Sequence, residues 1–340
     1  MTDRQYAAAG VDLESAEAAK QRIGESVRST RTALSVGAIG AFGGMLRVPD
    51  GYRRPVLVMS TDGVGTKVLV AAEAGRLDTV GEDLVNHSVN DILVHGARPL
   101  AFQDYVAGAG LGVEAIAAIV EGVARACRAH GMALTGGETA QMPGLYREGD
   151  FDLAGTILGV VEEDAAIHGD AIVPGDILVA FASTGLHTNG YTLARQIIFG
   201  RLGLTLESRP PELEGSVADA LLAVHRSYWP ALSPVLADVH GLAHVTGGGI
   251  PGNLIRVLPD GCAARVQADS WPIPPVFRLI RRGGDVRLEE MRDVFNLGVG
   301  MIAVVPPDGV DRVRTAAARS GDETWIVGDI VTGTRGVRFG

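Results

Sequence analysis

Ser60-Thr61-Asp62-Gly63-Val64-Gly65-Thr66-Lys67 directly follows the apolar run Val56-Leu57-Val58-Met59. A short run rich in Val, closed by a glycine-polar turn, reads as a β-strand with a functional exit. Where a strand stops in a turn, backbone N–H groups lose their ladder partners. Gly63 and Gly65 lack a Cβ and would let that backbone approach an anion closely. Lys67 adds a point charge, Thr66 a hydroxyl and Asp62 a hard oxygen donor, which together suit a polyphosphate and its metal ion. The spacing is not G-x-x-x-x-G-K-[ST], which argues against ordinary P-loop chemistry.

Outward from that stretch, length and composition set the frame. At 340 residues the chain exceeds the roughly 250 to 300 at which single cores stop growing, which implies two domains. Thirty basic against forty acidic side chains give a net charge of −10, which argues against a nucleic-acid surface and against attraction to anionic lipid. Glycine fills 46 positions, nearly twice its usual share of about 7%, and clusters in short polar turns instead of forming a low-complexity tract. Cys127 and Cys262 are the only cysteines, so a reducing, cytoplasmic setting is expected. The first residues carry Asp3, Arg4, Asp12, Glu14 and Glu17 where a secretory signal would need an apolar core. The uncharged stretch 36–46 is far shorter than the roughly 20 apolar residues that a membrane helix needs.

Along the chain, Leu13, Ala16, Ile23 and Val27 recur at helical spacing after a capping Asp12, and lead into the glycine-rich loop 37–44. The pattern then predicts a strand over 56–59, a helix over about 79–94, a strand near 100–106 and a helix over 113–128. Strands near 133–135 and 153–161 complete a first domain, 1–168, with 162–169 as a polar connector. A second domain, 169–340, repeats the unit of strand, glycine turn and helix: 177–182 into 191–199, then His244 and its glycines into 253–257. The fold class is α/β (α+β), with a mixed sheet and helices first and an α/β layer domain second.

Four constellations carry the candidate chemistry. On the helix near residue 87, Asp83, His87, Asp91 and His95 fall at successive i, i+4 positions, with Glu82, Asn86 and Asn90 in a parallel row. Val89, Ile92, Leu93 and Val94 crowd the remaining surface, so that end reads as buried and Asn90 and Asp91 as metal or phosphate ligands. Gly136-Gly137-Glu138-Thr139 places a carboxylate at an expected strand end, where ligands gather in α/β folds. His187 lies in the loop Thr184-Gly185-Leu186-His187-Thr188-Asn189-Gly190. His244 precedes Thr246-Gly247-Gly248-Gly249, whose glycines ahead of a helix suit an anion.

Read in order, Tyr6-Ala7-Ala8-Ala9-Gly10-Val11-Asp12, residues 60–67, Val89-Asn90-Asp91-Ile92, residues 136–144, 185–191, 244–249 and Phe295-Asn296-Leu297-Gly298-Val299-Gly300-Met301 resemble the motifs of the phosphoribosylformylglycinamidine cyclo-ligase (AIR synthetase) family. The resemblance spans almost the whole chain. It implies a cytoplasmic homodimer that uses ATP and Mg2+ to close the imidazole ring of 5-aminoimidazole ribonucleotide from formylglycinamidine ribonucleotide, in purine synthesis. The first domains of two subunits would join their sheets into a barrel. By motif position, Asp62, Gly63, Gly65, Thr66, Lys67, Asn90, Asp91, Gly136, Gly137 and Glu138 would bind ATP, with Asp62, Asp91 and Glu138 holding metal. Gly43, Gly44, Thr188, Asn189, Thr246, Gly247, Gly248 and Gly249 would face the substrate. His187, His244 and Lys67 would be catalytic, with His187 the favoured proton-transfer group for its place between glycine turns.

Two departures from the family pattern stand out. Ala41 occupies a position where a glycine is expected, and His225-Arg226-Ser227-Tyr228 replaces the usual Thr-Arg-Ile-Tyr. Sister enzymes share the ATP-binding half. Selenophosphate synthetase is disfavoured by the lack of an amino-terminal Cys, the fused preceding purine enzyme by length, and a hydrogenase-maturation relative by the ending Arg338-Phe339-Gly340. Thiamine-monophosphate kinase is disfavoured by the 185–191 and 244–249 motifs. A non-catalytic ATP-binding module would keep the fold and lose turnover.

Overall fold

The computed structural model describes residues 13–38 and 42–340, with side chains from Glu17 onward. The 6–12 motif, the capping Asp12 and the Ala41 departure lie outside the described residues. One compact unit runs to Ile92 and resumes over Arg98–Val160; the other comprises Leu93–Ala97 and Val161–Gly340. The chain thus passes into the second unit upstream of the expected boundary at 168.

In chain order the first unit holds α1 (Leu13–Ser29), the two-residue strands β1 (Ser35–Val36) and β2 (Met45–Leu46), and β3 (Pro55–Gly63). It continues with α2 (Lys67–Ala74), α3 (Leu77–Leu93), β4 (Arg98–Gly108), α4 (Val113–Ala129), β5 (Ala133–Gln141) and β6 (Phe151–Glu162). Its main sheet has the order β3-β6-β4-β5, with β4 antiparallel to β6 and parallel to β5, so it is mixed as expected. Alternation along β6 buries Phe151, Leu153 and Ile157, each of which contributes about 1.5 to 3 kcal/mol. The helices α3 and α4 cross at Gly81 and Gly122: a Cβ on Gly81 would strike the Ile119 carbonyl, and one on Gly122 the Asp78 carbonyl. The strand edge is another matter: Val56, Leu57 and Met59 of β3 are exposed at 38%, 54% and 66%.

The second unit holds β7 (Ile177–Ala182), α5 (Tyr191–Arg195), α6 (Val217–Leu221), α7 (Trp229–Leu232), β8 (Gly241–His244), α8 (Gly249–Leu254), β9 (Cys262–Val266), α9 (Pro275–Gly284), α10 (Leu288–Val294), β10 (Val299–Val305), α11 (Val310–Arg319), β11 (Thr324–Thr332) and β12 (Gly336–Phe339). The sheet order is β12-β9-β11-β7-β10-β8, and every pairing but β12 with β9 is antiparallel. One core packs Leu178, Ala180, Ile302 and Val304 with Ile250 and Leu254; the other packs Val179, Phe181, Ala303 and Val305 with Ala231, Leu232 and Val313. A sheet covered on both faces needs apolar residues at successive positions, which is why 177–182 and 299–305 read as unbroken apolar runs.

Several elements outrun their sequence signal. β3 extends through Gly63 and β5 through Gln141, so residues 136–138 lie within a strand and not at its end. After Arg195 the expected helix over 191–199 turns into one π-helical stretch, Gln196–Arg201. Helix α3 stops at Leu93, with Gly96 left-handed at φ +73, so His95 leaves the helical row and its Nδ1 lies 3.2 Å from the Ile167 carbonyl.

Lys67 opens α2 and its Nζ sits 2.8 Å from Asp83 of α3, both side chains fully buried. Removing one member of such a pair leaves a charge stranded in the core. Lys67→Met should therefore cost about 3 to 5 kcal/mol in urea unfolding, while Lys67→Met combined with Asp83→Leu recovers most of it. A double variant as unstable as the single one would contradict the pairing.

Candidate active site

In the first unit several candidate side chains converge where β3 ends beside α3. His87 Nε2 lies 2.8 Å from Asp62 and 3.5 Å from Asp91, and Ser60 donates to Asp91 at 3.1 Å. Burial by itself would depress this imidazole, but its hydrogen bonds to Asp62 and Asp91 outweigh that and push its pKa up to about 9. Burial would in turn raise the Asp62 carboxyl, yet the His87 contact holds it below the usual carboxylate range. At neutral pH the cluster is one cation between two carboxylates. Asp62 also accepts the Gly63 N–H at 2.7 Å, so that amide is committed within the turn.

The polar residues on α3 divide by burial, and Asn90 parts from the rest of its row. Asp83, His87 and Asn90 are buried, whereas Glu82 and Asn86 reach α4: Glu82 accepts from Arg125 Nε at 2.8 Å, and Asn86 lies 2.9 Å from His130. Asp91 is half-buried at the mouth of the buried row.

A second feature of this unit is a cavity of about 510 Å³ against the sheet, lined by Gly43, Gly44, Thr61, Gly136, Gly137 and Glu138 among others. Asp104 of β4 also lines it; burial pushes its carboxyl up to about 7. No motif pointed to Asp104. The signal available was one carboxylate inside an otherwise apolar strand pattern, Leu100-Ala101-Phe102-Gln103-Asp104-Tyr105-Val106.

In the second unit β10 gathers the loops. It lies between β7 and β8, with Val299 opposite Ala182 and Met301 opposite His244, so the segments leaving β7 and β8 emerge side by side. Ser183 N–H donates to the Gly298 carbonyl at 2.8 Å and Val245 N–H to the Gly300 carbonyl at 2.9 Å. Asn296 ties the first loop down, donating to the Gly185 carbonyl at 2.9 Å and accepting the Gly298 N–H at 2.9 Å. Asn253 does the same for the second, donating to the carbonyls of Gly247 and Gly249 at 3.2 and 2.8 Å. Asn189 faces Gly247, which brings the two loops together. His187, His244 and Thr188 are buried there.

Lys67 lies against Asp83, where its ammonium links α2 to α3; burial lowers its pKa despite that partner. Glu138 sits mid-strand on β5, at the opposite sheet edge from Asp62 on β3. The amide of Gly249 donates to the Thr246 carbonyl at 3.1 Å, which closes the 246–249 turn and removes that N–H from anion binding. Gly65 and Thr66 form the turn between β3 and α2, with Gly65 left-handed at φ +64.

Family models described as AIR synthase related protein, N-terminal domain, and AIR synthase related protein, C-terminal domain, match residues 43–161 and 173–339. A phosphoribosylformylglycinamidine cyclo-ligase from Sorangium cellulosum is 46% identical over 331 residues, covering 96% of this chain and 95% of its own. The chain belongs to the phosphoribosylformylglycinamidine cyclo-ligase family. A second cyclo-ligase, from Geobacter metallireducens, is 44% identical over 96% of this chain and 94% of its own. Among solved structures, a thiamine-monophosphate kinase from Stenotrophomonas maltophilia shares the cyclo-ligase fold with a TM-score of 0.69 at 20% identity over 95% of each chain. Escherichia coli HypE does so with a TM-score of 0.65 at 17% identity, over 94% of this chain and 93% of its own. No helix among the described residues is long and apolar enough to cross a membrane.

Because the Asp104 pKa is raised, its protonated form stabilises the fold at low pH, and that contribution is lost as pH rises from the unfolded value of 3.8 through about 7. Asp104→Asn should gain on wild type between about pH 5 and pH 8 by an amount of the order of 2.5 kcal/mol, read from thermal midpoints. An equal difference at both pH values would rule out a buried, titrating carboxyl.

Proposed function

We infer that this cyclo-ligase converts formylglycinamidine ribonucleotide and ATP into 5-aminoimidazole ribonucleotide, ADP and phosphate. The observation that carries the reading is 46% identity to a cyclo-ligase along 96% of the chain.

The chemistry sets the demands. A formamide carbon is a poor electrophile because nitrogen donates into the carbonyl, and its oxygen is a poor leaving group. Phosphorylation of that oxygen answers both, after which the amidine nitrogen attacks, the ring closes and phosphate departs. Asp62 and Asp91 would hold Mg2+: both are hard oxygen donors, and their shared contact with the His87 cation supports that reading. When bound, the ion neutralises the triphosphate and stabilises charge on the transferred group. Asn90 belongs beside Asp91 on the nucleotide side, and Gly43, Gly44, Gly136, Gly137 and Glu138 give a second ligand surface in the sheet-face cavity. Thr188, Asn189 and the 246–249 turn orient substrate, while His187 and His244 handle its proton.

We assign a homodimer to the β3 edge. An edge strand presenting Val56, Leu57 and Met59 to water is an open pairing surface, and a second copy would cover both its apolar side chains and its unpaired backbone.

With 18O in the formyl group, the label should appear in released phosphate. Asp62→Asn should lower kcat by about a hundredfold or more, and chelation of divalent cations should abolish turnover. Label found in water, or ATP consumed at the same rate without formylglycinamidine ribonucleotide, would overturn the assignment.

A further inference from the structure

His225 is one of the residues by which this chain departs from its family pattern, and it forms the centre of a buried imidazole cluster. Its ring is fully buried, stacks on His187 at a centroid distance of 3.9 Å, and meets the His244 ring edge-on at 5.2 Å. His225 Nε2 lies 3.1 Å from His244 Nε2, and Thr188 Oγ1 lies 3.3 Å from His225 Nδ1. Tyr228 closes the floor, its hydroxyl donating to the Ala182 carbonyl at 2.9 Å. Gly300 makes room, since a Cβ there would collide with both the Tyr228 hydroxyl and the His187 ring.

These contacts dictate where protons sit. Thr184 N–H donates to His187 Nε2 at 3.2 Å, and a backbone amide can only donate, so the His187 proton belongs on Nδ1. Two Nε2 atoms in hydrogen-bond contact must be one N–H and one bare nitrogen. The tautomers of His225 and His244 are therefore tied to each other. A second positive charge among rings this close and this buried is strongly disfavoured, so the cluster holds at most one extra proton.

We propose that His225 is a positioning residue: its Nε2 contact locks His244 into the tautomer opposite its own at that atom, and its stacked ring holds His187 in place. The effect on turnover rests on the cyclo-ligase reading; the proton pattern of the resting protein does not.

Side-chain 15N NMR of the full-length protein labelled at histidine reads the pattern without turnover. Wild type should show His187 as Nδ1–H, and His225 and His244 each as a single tautomer with only one of the two carrying Nε2–H. His225→Ala should leave His244 a mixture of tautomers and lower kcat about 10- to 100-fold with little change in KM. His225→Gln, whose amide can reach the Nε2 position, should restore kcat to within a few-fold of wild type. Unchanged His244 signals in His225→Ala, a loss confined to KM, or a Gln variant no better than Ala would each overturn the proposal. A wild-type protein with the expected signals but no cyclisation would fault the reaction reading instead and leave the proton pattern standing.

Discussion

Burying charge on one helix is the constraint around which the first unit is organised. Helix α3 carries Asp83 and His87 inward, where neither could remain ionised without a partner, and each receives one: Lys67 from the start of α2 and Asp62 from the end of β3. These two ion pairs fix both flanks of the turn at Gly65. They also leave Asp62 and Asp91 on either side of one imidazolium, an arrangement that can exchange its resident cation for another without leaving bare carboxylates behind.

The second unit reaches precision by a different route. Its central strands β7 and β10 are apolar on both faces, and the candidate polar groups gather at one end, where β7 and β8 flank β10. Asn296 and Asn253 then spend their amides on loop carbonyls, and the imidazoles are left facing one another instead of water. Loops that carry function are in this way held by side-chain hydrogen bonds from buried residues.

Much of this was legible in the sequence because the relevant signals are local. Unbroken apolar runs give β7, glycine-bounded periodicity gives α4, and the i, i+4 spacing of Asp83, His87 and Asp91 places them in one row. What escaped depends on partners distant in the chain. Lys67 looks like a phosphate contact beside Gly65, and only the approach of α3 makes it a brace. Glu138 looks like a strand-end ligand because two glycines precede it, yet pairing with β4 carries the strand on through Gln141. Asp104 carries no motif and His225 only a departure from one; their character comes from burial and from ring contacts between residues distant in sequence.

The seat assigned to the metal-nucleotide complex can be examined by counting protons. His87 is charged at neutral pH because Asp62 and Asp91 hold its pKa near 9, and a divalent ion on those carboxylates would remove the reason for that charge. Calorimetric titration with Mg-ATP in buffers of differing ionisation enthalpy should show about one proton released per site near pH 8, and that release should vanish in His87→Gln. No release in wild type, or an equal release in the variant, would contradict the placement of the metal at Asp62 and Asp91.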